Sequence, residues 1–136
     1  MAEERPPKDL AEVQARIEQD VRPWGAFRRY PLEGVSSVKV LTVNPGGVLS
    51  LQFHRQRDEF WVALDEGLEV TLGERVFRPR PGEELWVPRG TAHRIRGVGE
   101  KPARILEFWF GPSEESDIVR LEDAYGRLSP EHSCPK

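Results

Sequence analysis

The sequence predicts an all-β fold in which antiparallel strands form a sandwich or a barrel. Runs with strand-like composition are short, and turns rich in Gly, Pro, Asn and Asp separate them at intervals of about 8 to 12 residues. The strongest run is Val35–Val43, which is rich in β-branched residues. No helical periodicity lies between these runs, whereas a parallel sheet would need crossover helices there. The pattern is therefore typical of antiparallel architecture.

Helical periodicity is confined to the N-terminal part of the chain. In residues 8–19, Leu10, Val13 and Ile17 recur at spacings of three and four among charged residues, which predicts a short amphipathic helix. Since two-fold pairs are the commonest oligomers, we expect a homodimer in which this apolar stripe lies against the second subunit or helps the N-terminal segment to cross over to it. The alternative is that the helix packs on its own subunit and covers the end of the barrel.

The remaining elements follow from turn residues and apolar runs. Residues 22–25 contain Pro23 and Gly25, which predict a turn, and Trp24 is large enough to plug one edge of the core. We expect residues 94–97 to be a polar loop. The predicted strands are, in chain order, residues 26–30, 35–43, a ligand-bearing stretch around 50–56, 60–64, 68–72, 75–78, 84–87 and 103–110.

Composition and charge argue against several classes of protein. The 136 residues suffice for one domain, and the net charge of -3 gives no electrostatic case for nucleic-acid binding. No apolar run approaches the roughly 20 residues of a membrane span, and residues 1–5 do not begin a secretory signal. The single cysteine, Cys134, allows no intrachain disulfide. We therefore expect a cytoplasmic protein with no membrane contact.

A polar stretch at residues 52–61 carries the candidate chemistry. If this stretch is a strand, Gln52, His54 and Gln56 project to one face. Such a polar face inside a small β-protein is costly unless it surrounds water, a ligand or a metal. Together with Glu59, these residues offer imidazole, amide and carboxylate donors, a set that suits a first-row divalent metal.

Two pairs of motifs connect the chain to a known family. The His-x-Gln-x-x-Glu pattern of residues 54–59 and the Pro-x-Gly-x-x-His turn of residues 88–93 resemble the two sequence motifs of cupins. The Arg-Pro-Trp-Gly of residues 22–25 and the Ile-Val-Arg-x-x-Asp-x-Tyr-Gly-Arg of residues 118–127 narrow the resemblance. The chain is similar to the cupin domain of type II mannose-6-phosphate isomerases, which often occur fused to a mannose-1-phosphate guanylyltransferase.

The resemblance implies a definite fold and domain organisation. It implies a single cupin jelly-roll barrel of antiparallel strands, preceded by a short N-terminal helix. Residues 1–20 would be the N-terminal tail and helix, residues 21–127 the cupin domain, and residues 128–136 a flexible tail. The closing segment, residues 112–127, would pack on the outside. The third histidine, His132, falls in the tail and is expected to be solvated.

The resemblance also implies a metal site inside the barrel. Its ligands would be His54, Gln56, Glu59 and His93, and its metal Mn²⁺ or Zn²⁺. Gln56 stands where the family usually has a histidine. Because an amide oxygen is a hard and weak ligand, this change would loosen the site and favour Mn²⁺ over Zn²⁺.

The implied activity is the isomerisation of mannose 6-phosphate to fructose 6-phosphate. A small-molecule sugar phosphate would then be the partner. Glu59, Glu107 and Lys39 are the catalytic candidates, because the reaction moves a proton between two carbons. The phosphate would be bound by Arg57, Arg94 and Lys39.

An alternative interpretation is that the chain has the same fold but no enzymatic activity. The chain departs from the family pattern at Ser37, Gln56, Phe60 and Trp109, and each departure takes a polar or ligating group from the pocket. A stand-alone cupin that binds a metal or a sugar without turning it over fits these departures. The sequence leaves the enzyme and the binding domain both open.

Overall fold

The computed structural model describes residues 5–112 and 117–123. Within these residues the chain forms one helix and eleven strands, so the all-β prediction with a short N-terminal helix is confirmed. The helix has seven residues, and no helix in the described part of the chain is long and apolar enough to cross a membrane. The elements are α1 (Leu10–Arg16), β1 (Glu18–Arg22), β2 (Gly25–Arg29), β3 (Val35–Val43), β4 (Leu51–Phe53), β5 (Asp58–Ala63), β6 (Leu68–Leu72), β7 (Arg75–Phe77), β8 (Glu84–Val87), β9 (His93–Gly97), β10 (Ala103–Phe110) and β11 (Val119–Glu122).

Two antiparallel sheets form the body of the protein. One has the strand order β3-β10-β5-β8, and the other has the order β11-β4-β9-β6-β7. Every pairing within them is antiparallel, as expected for a jelly roll. Trp61, Leu68, Val70 and Ile105 belong to the core cluster that draws side chains from both sheets. The sheets therefore enclose an interior, and side chains of alternate residues along each strand reach it.

The outer face of the four-stranded sheet is covered by α1. Val13 is fully buried and packs in one cluster with Phe60, Val62 and Phe110. Asp9 caps the helix, because its carboxylate accepts a hydrogen bond from the backbone N–H of Glu12 at 2.8 Å. The apolar stripe of the helix is thus buried within its own subunit, which was the alternative to burial against a partner. The homodimer stays a prediction.

The N-terminal helix is shorter than the sequence indicated. It ends at Arg16, because Ile17 has extended backbone angles. Residues 18 and 19, which the sequence predicted to be helical, belong to β1 instead. β1 pairs with β2 in a hairpin whose residues are all exposed. The turn at residues 22–25 lies at the tip of this hairpin, where Trp24 is 72% exposed. The prediction that Trp24 plugs the core is therefore wrong.

The ligand-bearing stretch and the polar loop also differ from expectation. The stretch is not one strand, because β4 ends at Phe53 and a turn at residues 54–57 precedes β5. Residues 94–97 are not a loop but part of β9, which pairs with both β4 and β6. The closing segment adds β11 to the edge of the five-stranded sheet. The tail at residues 128–136, with His132, lies outside the described residues.

We predict that α1 stabilises the monomer. Val13→Ala removes about two buried carbon atoms and should lower the free energy of unfolding by about 2 kcal/mol. The matched control is Val38→Ala on the outer face of β3, where the side chain is 57% exposed and the change should cost less than about 0.5 kcal/mol. Urea unfolding followed by tryptophan fluorescence measures both. Equal effects of the two substitutions would contradict the packing of α1 described here.

Candidate metal and proton-transfer site

A cavity of about 230 Å³ lies between the two sheets. Its size is below the range of roughly 300–1,000 Å³ that is usual for drug-sized ligands, so a small occupant fits it best. Both sheets contribute to its lining. The lining side chains used below are Lys39, His54, Arg57, Glu59, Trp61, His93, Arg94, Glu107 and Trp109.

Three of the four predicted metal ligands come together in this cavity. His54 directly follows β4, Glu59 lies on β5, and His93 begins β9. The pairing of Gln52 with His93 holds the two histidine-bearing segments side by side. All three side chains are buried, and one potential ligand atom from each lies within 4.8 Å of the others. These atoms are close enough for a single metal ion to bind all three.

The two histidine rings are oriented by backbone carbonyl groups. Nδ1 of His93 lies 3.0 Å from the carbonyl oxygen of Thr91, and Nδ1 of His54 lies 2.9 Å from that of Asp117. A carbonyl oxygen only accepts hydrogen bonds, so each Nδ1 carries a proton and the ring's lone pair is left on Nε2. Burial lowers the pKa of His93 to about 4, so this ring is neutral at pH 7. This arrangement is typical of histidines that bind a metal through Nε2.

Glu59 supplies the negative charge of the cluster. Burial alone would raise the pKa of Glu59, but the nearby His54 and His93 rings and the indole N–H of Trp61 outweigh it and lower the pKa to about 2. Oε2 of Glu59 lies 3.1 Å from Nε2 of His54, and these are both electron-pair donors when the ring is neutral. Such a contact requires a proton or a cation close by. The donor set of two imidazoles and one carboxylate therefore fits a divalent metal.

Gln56 does not join this cluster, and the structure corrects that part of the prediction. Its side chain is exposed and does not line the cavity. The reason is the turn after β4, which interrupts the two-residue alternation on which the prediction rested. The carboxylate of Asp117 holds this turn by accepting hydrogen bonds from the backbone N–H groups of Arg55 and Gln56, both at 3.0 Å.

Arg57 lies among the candidate metal ligands themselves. Its side chain is only 2% exposed, although the sequence indicated a substrate-binding residue. Nε donates to Oε2 of Glu59 at 3.0 Å, and Nη2 lies 3.0 Å from each ring nitrogen of His54. The guanidinium carbon is 3.6 Å from the centre of the Trp109 ring, a cation–π contact.

Glu107 and Lys39 lie on the neighbouring strands of the same sheet. Glu107 of β10 pairs with Trp61 of β5 on one side and with Lys39 of β3 on the other. Burial, with the nearby charge of Glu59, raises the pKa of Glu107 to about 8. Glu107 therefore holds a proton at neutral pH, in contrast to Glu59. Trp109 donates to Oε1 of Glu107 at 3.2 Å.

Arg94 lies at the edge of the cavity. Its Nε donates to the carbonyl oxygen of Leu49 at 3.0 Å, and its Nη1 pairs with Glu122 at 3.3 Å.

Sequence reasoning did not identify the groups that orient the ligands, which are the carbonyls of Thr91 and Asp117 and the indole of Trp61. Trp61 donates to Oε1 of Glu59 at 2.7 Å. The one sequence signal for this contact is the spacing of two residues, which places both side chains on the same face of a strand.

Comparison with known proteins gives a family match over most of the chain. The family described as "Mannose-6-phosphate isomerase C-terminal" matches residues 9–123. The xanthan biosynthesis protein XanB of Xanthomonas campestris pv. campestris is 40% identical over 107 residues, which are 78% of this chain and 23% of XanB. The alginate biosynthesis protein AlgA of Pseudomonas putida is 40% identical over 109 residues, 79% of this chain and 22% of AlgA. The chain thus spans less than a quarter of the length of these relatives.

Solved structures share the fold at low sequence identity. QdtA, a sugar 3,4-ketoisomerase from Thermoanaerobacterium thermosaccharolyticum, superimposes with a TM-score of 0.63 at 14% identity, over 77% of this chain and 84% of QdtA. A conserved protein with a double-stranded β-helix domain from Klebsiella pneumoniae gives 0.56 at 18% identity, over 64% of this chain and 75% of that protein. Because the family match covers most of its residues, the chain belongs to the mannose-6-phosphate isomerase C-terminal family and has its cupin fold.

Proposed function

We propose that this chain is a metal-dependent sugar-phosphate isomerase that interconverts mannose 6-phosphate and fructose 6-phosphate. The observation that carries the proposal is the cluster of His54, Glu59 and His93 beside a second buried carboxyl group, Glu107. Family membership supports the same class of chemistry. The small cavity is also in keeping with a single sugar ring, not a nucleotide sugar.

Six residues of the cavity have roles that their positions suggest. His54, Glu59 and His93 would hold Mn²⁺ or Zn²⁺, which when bound polarises a carbonyl group and stabilises negative charge on its oxygen. Lys39 inside the cavity and Arg94 at its edge would bind the phosphate. In this scheme Arg57 contacts the ligands and not the phosphate. The cytoplasmic location and the homodimer stay predictions beside this proposal.

The two carboxyl groups would divide the work according to their pKa values. Glu59 has a pKa of about 2 and is a weak base, which suits a ligand that stays ionised. Glu107 has a pKa of about 8 and can give up and regain a proton near neutral pH. Isomerisation removes a proton from C2 of the sugar and returns one to C1. We assign that transfer to Glu107, since a pair of carboxyls with pKa values pushed apart commonly divides the roles in this way.

The alternative is a binding domain without turnover. Two observations favour it: Gln56 lies outside the cluster, and the Arg57 guanidinium contacts two of the three candidate ligands. In this case the chain would bind a metal or a sugar phosphate and leave it unchanged. Only an activity measurement on metal-loaded protein separates the two functions.

We predict that Glu107→Gln lowers kcat at least about 100-fold, because the amide cannot transfer the proton. The measurement is a coupled assay with mannose 6-phosphate on protein stripped with a chelator and reloaded with Mn²⁺ or Zn²⁺. The matched control is Glu100→Gln at an exposed position, which should leave kcat unchanged. Metal analysis should show that both variants retain the ion. Turnover that survives Glu107→Gln would reject the assigned role, and absence of turnover in metal-loaded wild-type protein would favour the binding domain.

We also predict that Glu107 makes stability depend on pH. The folded protein keeps the Glu107 proton up to a pKa of about 8, whereas the unfolded chain releases it near the ordinary value of 4.5. The unfolded state therefore binds fewer protons between these values, and the free energy of unfolding falls as pH rises through this window, by up to about 1.4 kcal/mol per pH unit. Above pH 8 this contribution is constant.

Urea titrations of chelator-treated protein between pH 5 and 8 measure this dependence. Glu107→Gln should remove the fall in stability between about pH 6.5 and 8 and raise stability most at the alkaline end, because the amide never acquires a buried charge. Glu59 and His93 contribute with the opposite sign. The stabilisation from Glu59 is lost as pH falls from about 4.5 towards 2, and the stabilisation from neutral His93 is lost as pH falls from about 6.5 towards 4, so the difference between variant and wild type isolates Glu107. Parallel curves for wild type and variant would contradict the raised pKa of Glu107.

A further inference from the structure

The guanidinium of Arg57 occupies ligand atoms that a metal would need. Its Nε donates to Oε2 of Glu59, and its Nη2 contacts the His54 ring, each at 3.0 Å. The other carboxylate oxygen of Glu59, Oε1, already accepts the indole N–H of Trp61 at 2.7 Å. Both oxygens of the only carboxylate in the candidate cluster are therefore engaged before a metal arrives.

A divalent ion at this site would also lie close to a fixed positive charge. A metal bonded at about 2.1 Å to Nε2 of His54 lies within roughly 5 Å of Nη2 of Arg57. Like charges at this distance repel strongly in a buried site, and an arginine cannot lose its proton to relieve the repulsion. The ligands can therefore hold the metal or the guanidinium at this position, but not both side by side.

Arg57 is held firmly at one side of its guanidinium and poorly at another. Trp109 stacks on it at 3.6 Å, and the ion pair with Glu59 is buried on both sides. Its Nη1 is also buried, yet among the residues that the structure describes this atom has no hydrogen-bond partner. A buried donor without a partner weakens the hold on the group. The guanidinium thus fills the site without being fully satisfied there, as expected of a group that can be displaced.

We propose that Arg57 is an internal cation that takes the place of the metal, so that a divalent ion binds only by displacing the guanidinium from Glu59 and His54. The inference rests on the metal site of the proposed function. It adds that the competition between the guanidinium and the metal sets the metal affinity. The stacking contact with Trp109 stabilises the bound guanidinium and so weakens metal binding. Arg57 is then a positioning residue, which keeps the buried carboxylate paired in the absence of metal.

The test is Mn²⁺ binding by isothermal titration calorimetry on the full chain after chelator treatment. Mn²⁺ is chosen because thiolates bind it weakly, so Cys134 will not compete. Arg57→Gln should bind one Mn²⁺ at least about tenfold more tightly than wild type. The matched control is Arg94→Gln, which removes the same charge from the cavity edge without touching the ligands, and should change affinity by less than about threefold.

Trp109→Gln provides a second test that leaves net charge and ligands unaltered. Loss of the stacking contact should release Arg57 and tighten Mn²⁺ binding by several-fold. This variant also carries the test if Arg57→Gln does not fold, because a buried Glu59 without its partner is destabilising. Adding His93→Gln to either variant should abolish the gain, which would place the ion at the proposed ligands.

Thermal unfolding supplies an independent readout. Apo Arg57→Gln should melt below wild type, and saturating Mn²⁺ should raise its melting temperature more than it raises that of wild type. The proposal is overturned if Arg57→Gln and Trp109→Gln bind Mn²⁺ no more tightly than wild type, or if Arg94→Gln gains as much as Arg57→Gln. Wild-type turnover with metal but no gain in either variant would reject this inference and keep the proposed isomerase. Failure of every variant to bind Mn²⁺ would reject both.

Discussion

The buried carboxylate of Glu59 is the constraint on which the rest of the interior depends. An ion that is 2% exposed is destabilising unless hydrogen bonds and opposite charge surround it. The barrel provides these from two places: Trp61 on the same strand and Arg57 in the turn before it. The polar interior is therefore built around one charge, and the same charge gives a divalent cation a reason to bind.

Strand register places a second carboxyl group beside the first and gives it the opposite character. β10 pairs with β5 so that Trp109 lies opposite Glu59, and Glu107 lies one interior position further along. The ionised Glu59 then helps to keep Glu107 protonated. Cross-strand geometry is thus the link between fold and proposed chemistry, because a shift of one residue would turn Glu107 outward. Trp109 contacts both Glu107, through a hydrogen bond, and Arg57, through a cation–π contact.

Much of the architecture was accessible from sequence, since alternation and turn residues are local signals. β3, β6, β8 and β10 were predicted with the bounds that the structure shows, and three of the four predicted metal ligands belong to the observed cluster. Gln56 was wrong because a turn interrupts the alternation, and its main anchor, Asp117, lies about sixty residues away. The burial of Arg57 could not be foreseen for the same reason, since it depends on Trp109 across the sheet. Local patterns do not encode such long-range contacts.

A crystal structure of the Mn²⁺-loaded protein, with anomalous scattering data at the manganese edge, tests the central claim most directly. We predict one anomalous peak within about 2.0 to 2.3 Å of His54, Glu59 and His93, with the Arg57 guanidinium no longer 3.0 Å from Glu59 and His54. A peak elsewhere would contradict the metal site. A peak at the three ligands with Arg57 unmoved would show that metal and guanidinium share the site, and would contradict the competition between them.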